Sequence, residues 1–330
     1  MKTRMTELLN IQYPVICGGL YRIGRAPLAA AVSEAGGLGI MTSATFETAE
    51  ELRQEIRKAR ELTEKPIGIN INLFPSVKKM PNEAYIDVLL DEGIRIVETS
   101  GRNPEPYMKI LKDNDVTVIH KVAGVKYAKT AERVGCDAVT VVGFEAGGHP
   151  GMEDVGNIVL VPQTVDAVSI PVLAGGGIAD GRGLAAMLAL GAEGIVMGTR
   201  FLASQEAMVH DNLKRWMVQA SEIDTALIQK SIGSTSRVGK NAIALKVLDA
   251  ESRGATLEEL LPFISGQRSA KVFNEGDLDA GVFSCGQSVA RIREIQTVKE
   301  IISEVVGEGR HATERMRKIW SDTNRLETTQ

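Results

Sequence analysis

Short runs of β-branched and aliphatic residues recur along the chain, and the stretches between them carry apolar positions at helical spacing. The runs cover residues 13–19, 37–42, 66–72, 94–100, 116–122, 138–144, 170–176 and 194–200. They begin roughly 22 to 32 residues apart, the length of one strand, one helix and two loops. Intervening helices are expected over 26–35, 47–62 and 181–190, the last ending at Gly191 as a helix C-terminus should.

Eight such units admit a closed barrel or a long open sheet. The unusual residues favour closure. Gly18-Gly19, Asn70 and Asn72, Ser100, His120-Lys121, Glu145 to His149, Gly175 to Gly177 and Gly198-Thr199 all fall at or just after strand C-termini. Closure gathers those ends on one face, where barrels build their sites, whereas an open sheet strings them along a line. The expected fold is therefore α/β, a (β/α)8 TIM barrel. Strand eight ends near residue 201, leaving ~130 residues, more than one closing helix needs. A small, mostly helical cap is expected over 202–280, with helices near 207–220 and 256–261 and looser segments at 233–239 and 265–276. Residues 284–304 are expected to return as the last barrel helix. The expected domains are a barrel of 1–201 and 281–306, the cap, and a charged tail over 307–330.

Composition narrows the class. Aromatics make up only 4% of the chain, which favours helices packed on a parallel sheet over an aromatic-rich sandwich. A formal charge of −4 gives no reason to expect a nucleic-acid partner. The first residues lack an apolar signal core, and no run of about 18 apolar residues occurs, so neither export nor a membrane span is expected. Cys17, Cys136 and Cys285 are odd in number and far apart, as expected of free thiols in a reducing, cytoplasmic setting.

A phosphate needs several donors at close range, and glycines let backbone amides approach without a Cβ in the way. Gly176-Gly177 and Gly198-Thr199 follow strands seven and eight, where barrels commonly hold phosphate, although glycines also make tight turns. Gly175 to Gly183 is not a dinucleotide fingerprint, because the spacing fails at Asp180. The loop Gly143-Phe-Glu-Ala-Gly-Gly-His-Pro-Gly151 carries His149, suited to proton abstraction or to binding an anion, or else a plain surface histidine. Glu145 could meet a cofactor hydroxyl or ring N–H, or pair with a nearby cation. Of His120 and Lys121, one should face the barrel mouth and the other the helices; both could also be half exposed at the strand end. Asn70 and Asn72 share one side of strand three and could bond a heterocycle's edge, or in the case of Asn72 cap the strand. No metal-ligand spacing is present, so no metal is expected.

Taken in order, these segments resemble the nitronate monooxygenase (2-nitropropane dioxygenase) family and the related flavin-dependent enoyl-ACP reductases. The resemblance runs from Met1 to about residue 210 and resumes at Asp279-Ala-Gly-Val-Phe-Ser-Cys-Gly-Gln287. Its markers are Tyr13-Pro-Val-Ile-Cys-Gly-Gly19, Ala35-Gly-Gly-Leu-Gly39, Gly68-Ile-Asn70, Glu145-Ala-Gly-Gly-His149, Ala174-Gly-Gly-Gly-Ile-Ala-Asp-Gly181 and Met197-Gly-Thr-Arg-Phe201. It implies FMN bound at the strand C-termini by Gly18, Gly19, Asn70, Glu145, Gly148, Gly176, Gly177, Gly198 and Thr199. His149 matches the family's active-site histidine, and Leu20, His120, Lys121 and Gln287 would lie near ring or substrate. Two departures stand out. Leu20 follows Gly18-Gly19 where the family usually has Met, and His120-Lys121 replaces a more apolar pair of the enoyl reductases.

The resemblance implies oxidation of alkyl nitronates with O2, or NAD(P)H-driven reduction of enoyl thioesters or quinones on the same scaffold. A barrel without flavin, of the inosine-monophosphate dehydrogenase type or non-redox, would share the phosphate grip. That dehydrogenase reaction needs a loop cysteine, and the loop after strand six has none. The expected partners are a small-molecule substrate and O2, with a homodimer left open.

Overall fold

A computed structural model of the chain, describing residues 1–74 and 80–327 with side chains through Ser321, is a closed barrel of eight parallel strands. The strands are β1 Val15–Cys17, β2 Leu38–Thr42, β3 Ile67–Asn72 and β4 Ile96–Ser100, then β5 Thr117–Val122, β6 Ala138–Val142, β7 Val172–Gly175 and β8 Gly194–Met197. Each pairs with its sequence neighbours, and β1 also pairs with β8 through Val15↔Ile195 and Cys17↔Met197. All eight expected strands are present, most of them trimmed by a residue or more at the ends. The helices expected first appear as Ala26–Glu34, Ala49–Leu62 and Gly181–Ala189.

The barrel interior is aliphatic at its lower end. Ile16, Leu38, Ile40, Ile96, Ile119, Ala138, Leu173 and Val196 form one cluster, closed from below by Met5 and Leu9. Those two belong to a short helix, Arg4–Leu9, that the strand pattern did not predict. A reciprocal Thr3–Thr6 capping box starts it, and Thr3 Oγ1 donates to the Glu193 carbonyl at 2.8 Å, tying the plug to the loop before β8. Full burial of each such aliphatic side chain contributes about 1.5–3 kcal/mol. Outside the strands the helices pack by amphipathic stripes. Ala49–Leu62 buries Leu52, Ile56 and Ala59 and is begun by a Thr48–Glu51 capping box.

Beyond β8 a four-residue helix, Thr199–Leu202, precedes the cap. The cap holds helices Asp211–Gln219, Ala242–Ser252, Leu257–Ile264 and Gly266–Glu275. It also holds an antiparallel hairpin, β9 Thr225–Ile228 with β10 Ser236–Gly239, so a strand lies in the looser segment expected at 233–239 and the helix Gly266–Glu275 in the one expected at 265–276. Ile228, Val238, Ile243, Val247 and Leu260 give this region an apolar cluster of its own.

The last helix corrects two expectations. It runs Val298–Glu327, starting later than residue 284 and continuing past 307. Gly286 and a 3-10 turn at Gln287–Arg291 interrupt the chain first. Thr297 then makes the start: its backbone and hydroxyl donate to Glu300 while the Glu300 amide donates back to Oγ1. The charged segment after 307 is thus the distal two thirds of a helix, and residues 328–330 lie outside the described residues. Gly181 has no room for a Cβ, which would collide with Gly309 N and the Val305 carbonyl, so the last helix crosses Gly181–Ala189 at close range. Among the described residues no helix is long and apolar enough to cross a membrane.

Candidate active site at the barrel mouth

One step of two residues up the inward face changes the character of the interior. Above Ile16 comes Gly18, above Ile40 comes Thr42, and above Gly68 comes Asn70. Glu98 follows Ile96, Lys121 follows Ile119, Thr140 follows Ala138, Gly175 follows Leu173 and Gly198 follows Val196. The aliphatic floor gives way to polar groups and glycines at the strand C-termini.

Glu98 is the centre of this layer, and the sequence reading passed over it. Its carboxylate is 1% exposed, and Oε1 alone takes three donors. Asn70 Nδ2 lies at 2.7 Å, the Gly19 amide at 3.2 Å and the Lys121 ammonium at 2.8 Å. Asn70 also donates to Ser100 Oγ at 3.3 Å. The two adjacent glycines make room for this cluster. A Cβ on Gly19 would come within 2.6 Å of Asn70, and one on Gly18 within 2.8 Å of Val196 and 3.2 Å of Lys121 Nζ. Asn72, by contrast, caps the strand: its Oδ1 accepts the Phe74 amide at 2.9 Å.

Strand alternation separates His120 from Lys121. Lys121 enters the mouth, while His120 turns outward and meets Thr99 Oγ1 at 2.8 Å through Nδ1. His120 therefore does not lie near the mouth, contrary to the expectation for a ring-proximal residue. Burial holds its pKa at about 4, so the ring is neutral at physiological pH.

The loops after β7 and β8 lie side by side, since Gly175 pairs with Val196. Gly176 and Gly177 adopt left-handed φ values of +94° and +73°, and no hydrogen bond among the described residues engages their amides. Gly198 precedes the first turn of Thr199–Leu202, and a Cβ on it would reach Leu20 Cδ2 at 3.1 Å. Thr199 Oγ1 accepts the Gly286 amide at 2.9 Å, and Gln287 N donates to the Glu145 carbonyl at 3.0 Å. Free amides, two αL glycines and a hydroxyl beside a short helix N-terminus have the chemistry of a phosphate cradle.

Glu145 is half-buried beside Gly177. Its carboxylate turns to the start of the helix Asn157–Val165, where Oε1 accepts the Asn157 amide at 3.1 Å. Asn157 Nδ2 in turn donates to the carbonyls of Gly175 and Gly176 at 3.0 and 2.6 Å. The side chain thus braces the cradle loop from outside, through Asn157. Its other oxygen, Oε2, is buried and has no hydrogen-bond partner among the described residues.

His149 is exposed, with its ring 4.9 Å from that of Phe74 and tilted 35°. Desolvation by the surrounding loop lowers its pKa, and because water still reaches the ring this biases the imidazole toward neutrality without locking it there. The cap fixes the loop beneath it. Gly148, at φ +79°, exchanges backbone hydrogen bonds of 2.7 and 2.9 Å with Arg237 of β10. Arg237 is buried, donates through Nε to the Phe144 carbonyl at 3.1 Å and lies over the Phe144 ring at 4.6 Å. Neither Arg237 nor Asn157 carried a signal in the sequence. Glu98 did, as an acid inside the apolar run Ile94-Arg-Ile-Val-Glu98.

Comparison with known proteins gives the chain its family. A family model described as nitronate monooxygenase matches residues 2–308. FabK from Thermotoga maritima superposes with a TM-score of 0.89 at 40% identity, over 97% of this chain and 99% of that one. A (3aS,4S,5R,7aS)-5-hydroxy-7a-methyl-1-oxo-octahydro-1H-indene-4-carboxyl-CoA dehydrogenase from Rhodococcus jostii is 34% identical, covering 93% of this chain and 96% of its own length. A probable nitronate monooxygenase from Staphylococcus aureus is also 34% identical, over 72% of this chain and 78% of its own length.

Proposed function

The chain belongs to the nitronate monooxygenase family of flavin oxidoreductases, and from that premise we propose that it binds FMN and oxidises alkyl nitronates with O2. One pairing carries the reading. A free-amide phosphate cradle after β7 and β8 stands on the same barrel face as an exposed imidazole, biased to neutrality, after β6. The residues fit a flavin mononucleotide: Gly176, Gly177, Gly198 and Thr199 would hold its phosphate, and Asn70 and Lys121 would meet the polar edge of its ring. Bound there, FMN would supply the redox chemistry, taking electrons from a substrate carbon that is already anionic and handing them to O2.

The protein's own part is binding, orientation and proton handling. Neutral His149 can accept a hydrogen bond or take the α-proton of a neutral nitroalkane at a ring nitrogen. Lys121 adds the positive charge that an anionic substrate or ring favours. Phe74 stands beside the His149 ring, a neighbour that a substrate bound there would also meet.

A second reading has its own support. Relatives matching almost end to end, cap included, are FabK at 40% identity, a dehydrogenase acting on a CoA thioester at 34% and a nitroalkane oxidase from Streptomyces ansochromogenes at 25%. The cap is thus common to both kinds of enzyme, and it is the higher identity to FabK and to the CoA dehydrogenase that favours NAD(P)H-driven chemistry on an enoyl thioester. Anaerobic mixing of the yellow holoprotein decides. Bleaching by ethylnitronate, with O2 consumed on re-aeration, supports the first reading. Bleaching by NADH or NADPH, reversed by an enoyl-CoA, replaces it with the second. A protein that takes up no flavin removes both.

A further inference from the structure

Glu98 has no role in either reading, yet it is the most fully buried charge at the mouth. A buried ion pair is a poor source of stability, and a well-packed apolar residue of similar volume is often equal or better. The floor just below shows that this barrel accepts Ile at inward positions: Ile96 on the same strand and Ile119 on the next. Glu98 is also not a passive counter-ion on the surface. Its carboxylate is 1% exposed while the Lys121 side chain is 24% exposed, so the acid sits below and the ammonium reaches up into the mouth. The same oxygen that pairs Lys121 fixes the Asn70 amide and the Gly19 N–H. Its other oxygen, Oε2, lies 3.4 Å from where a Cβ on Gly18 would stand. Every residue Glu98 holds is one that would face the flavin.

We propose that Glu98 is a positioning residue that orients Lys121 and Asn70 toward the bound flavin and offsets the lysine charge, keeping the flavin's reduction potential low. The proposal rests on the FMN reading above. A cation beside a flavin favours the reduced, more anionic form, and a neutralised cation favours it less. The two partners must therefore act with opposite sign. Removing the acid leaves an uncompensated ammonium and makes the flavin easier to reduce; removing the ammonium makes it harder.

The test is a dye-equilibrated anaerobic reduction of the FMN holoprotein, with FMN affinity measured alongside. Glu98→Gln should raise the reduced-to-oxidised ratio at a fixed poise about tenfold, which for a two-electron couple is about 30 mV. Lys121→Met should lower it, and the double variant should return toward wild type. Glu98→Asp, which keeps the charge, should stay closer to wild type than Glu98→Gln. A role in folding alone would lower the melting temperature and FMN affinity but leave the potential in place, and that result overturns the proposal. Should Glu98→Gln fail to fold, Lys121→Met decides, since an unchanged or raised potential is equally fatal. A wild-type protein that binds no FMN removes the flavin reading and this inference with it. FMN bound with no shift in any variant removes this inference alone.

Discussion

The floor and the mouth of the barrel are built by the same eight strands, on the same inward face, one pleat apart. The floor is Ile16, Leu38, Ile40, Ile96, Ile119, Ala138, Leu173 and Val196, sealed by Met5 and Leu9. The mouth is Gly18, Asn70, Glu98, Lys121, Thr140 and Gly198, and β10 pins the loop after β6 that carries His149. The floor supplies free energy and no chemistry. The mouth accepts buried charge, orphaned amides and left-handed glycines, all of which cost stability. The strand β5 compresses the contrast into three residues: Ile119 below, Lys121 above, and His120 on the outer face.

The largest expected effect lies in the mouth. Replacing His149 with Ala should lower the rate on a neutral nitroalkane by about 10²–10⁴-fold, the usual share of a positioned acid–base group. The melting temperature should stay within a degree or two of wild type, because the ring is exposed and its loop is fixed by the backbone of Gly148. The pH profile follows from the direction of its shift. A base with a lowered pKa keeps its activity until the pH falls below the ordinary histidine value of about 6.5, and then loses it. A variant that melts early while turning over normally would place His149 on the stability side of the contrast.

The floor should answer in reverse. Ile119→Ala removes a side chain that is 1% exposed and should cost about 2–5 kcal/mol in urea unfolding. Flavin affinity and potential in the folded fraction should not move. A change in the flavin spectrum would show that the two layers are coupled, and that the floor sets the chemistry above it.

The outer face of β5 gives a pH-dependent case. Folding holds the His120 pKa at about 4 against about 6.5 unfolded. The unfolded chain therefore binds the proton first, so this contribution to stability is complete above about pH 6.5 and lost as the pH falls toward 4. The full window is worth about 3 kcal/mol. Urea midpoints of wild type should fall more steeply between those limits than those of His120→Asn, which has no such proton to take up. Parallel slopes would mean that the ring is already wet.

Much of this division is legible in the sequence. Eight apolar runs at barrel spacing, each with a glycine or polar residue at or close to its C-terminus, are enough to predict closure and to put the site at the strand C-termini. Alternation alone separates His120 from Lys121, and that same step applied to Ile96 would have singled out Glu98. What the sequence hides is partner choice. Glu145 reads equally well as a ligand to a cofactor or as a brace, and only the fold shows Oε1 on the Asn157 amide and Oε2 buried without a partner among the described residues. Arg237 lies more than eighty residues beyond the loop it clamps, in a segment whose β-character is weak. The plug helix Arg4–Leu9 is too short to show a period, and tertiary burial of Met5 and Leu9 makes it.

The smallest effect tests whether the cradle belongs wholly to the mouth. Thr199 has two possible tasks, since Oγ1 already accepts the Gly286 amide at 2.9 Å and its hydroxyl proton remains free to donate. Thr199→Val keeps the shape and removes both. Losing the acceptor leaves one amide unpaired, at a cost of about 1 kcal/mol of stability. Losing the donor should weaken FMN about tenfold, the low end for one hydrogen bond to a charged group. Thr199→Ser restores both if the hydroxyl is what counts. Fluorescence titration with FMN and urea unfolding of the apoprotein separate the two tasks. A valine variant that loses stability while binding FMN as wild type does would make Thr199 a tie between the β8 loop and the segment before Gln287, leaving the phosphate to the amides of Gly176 and Gly177.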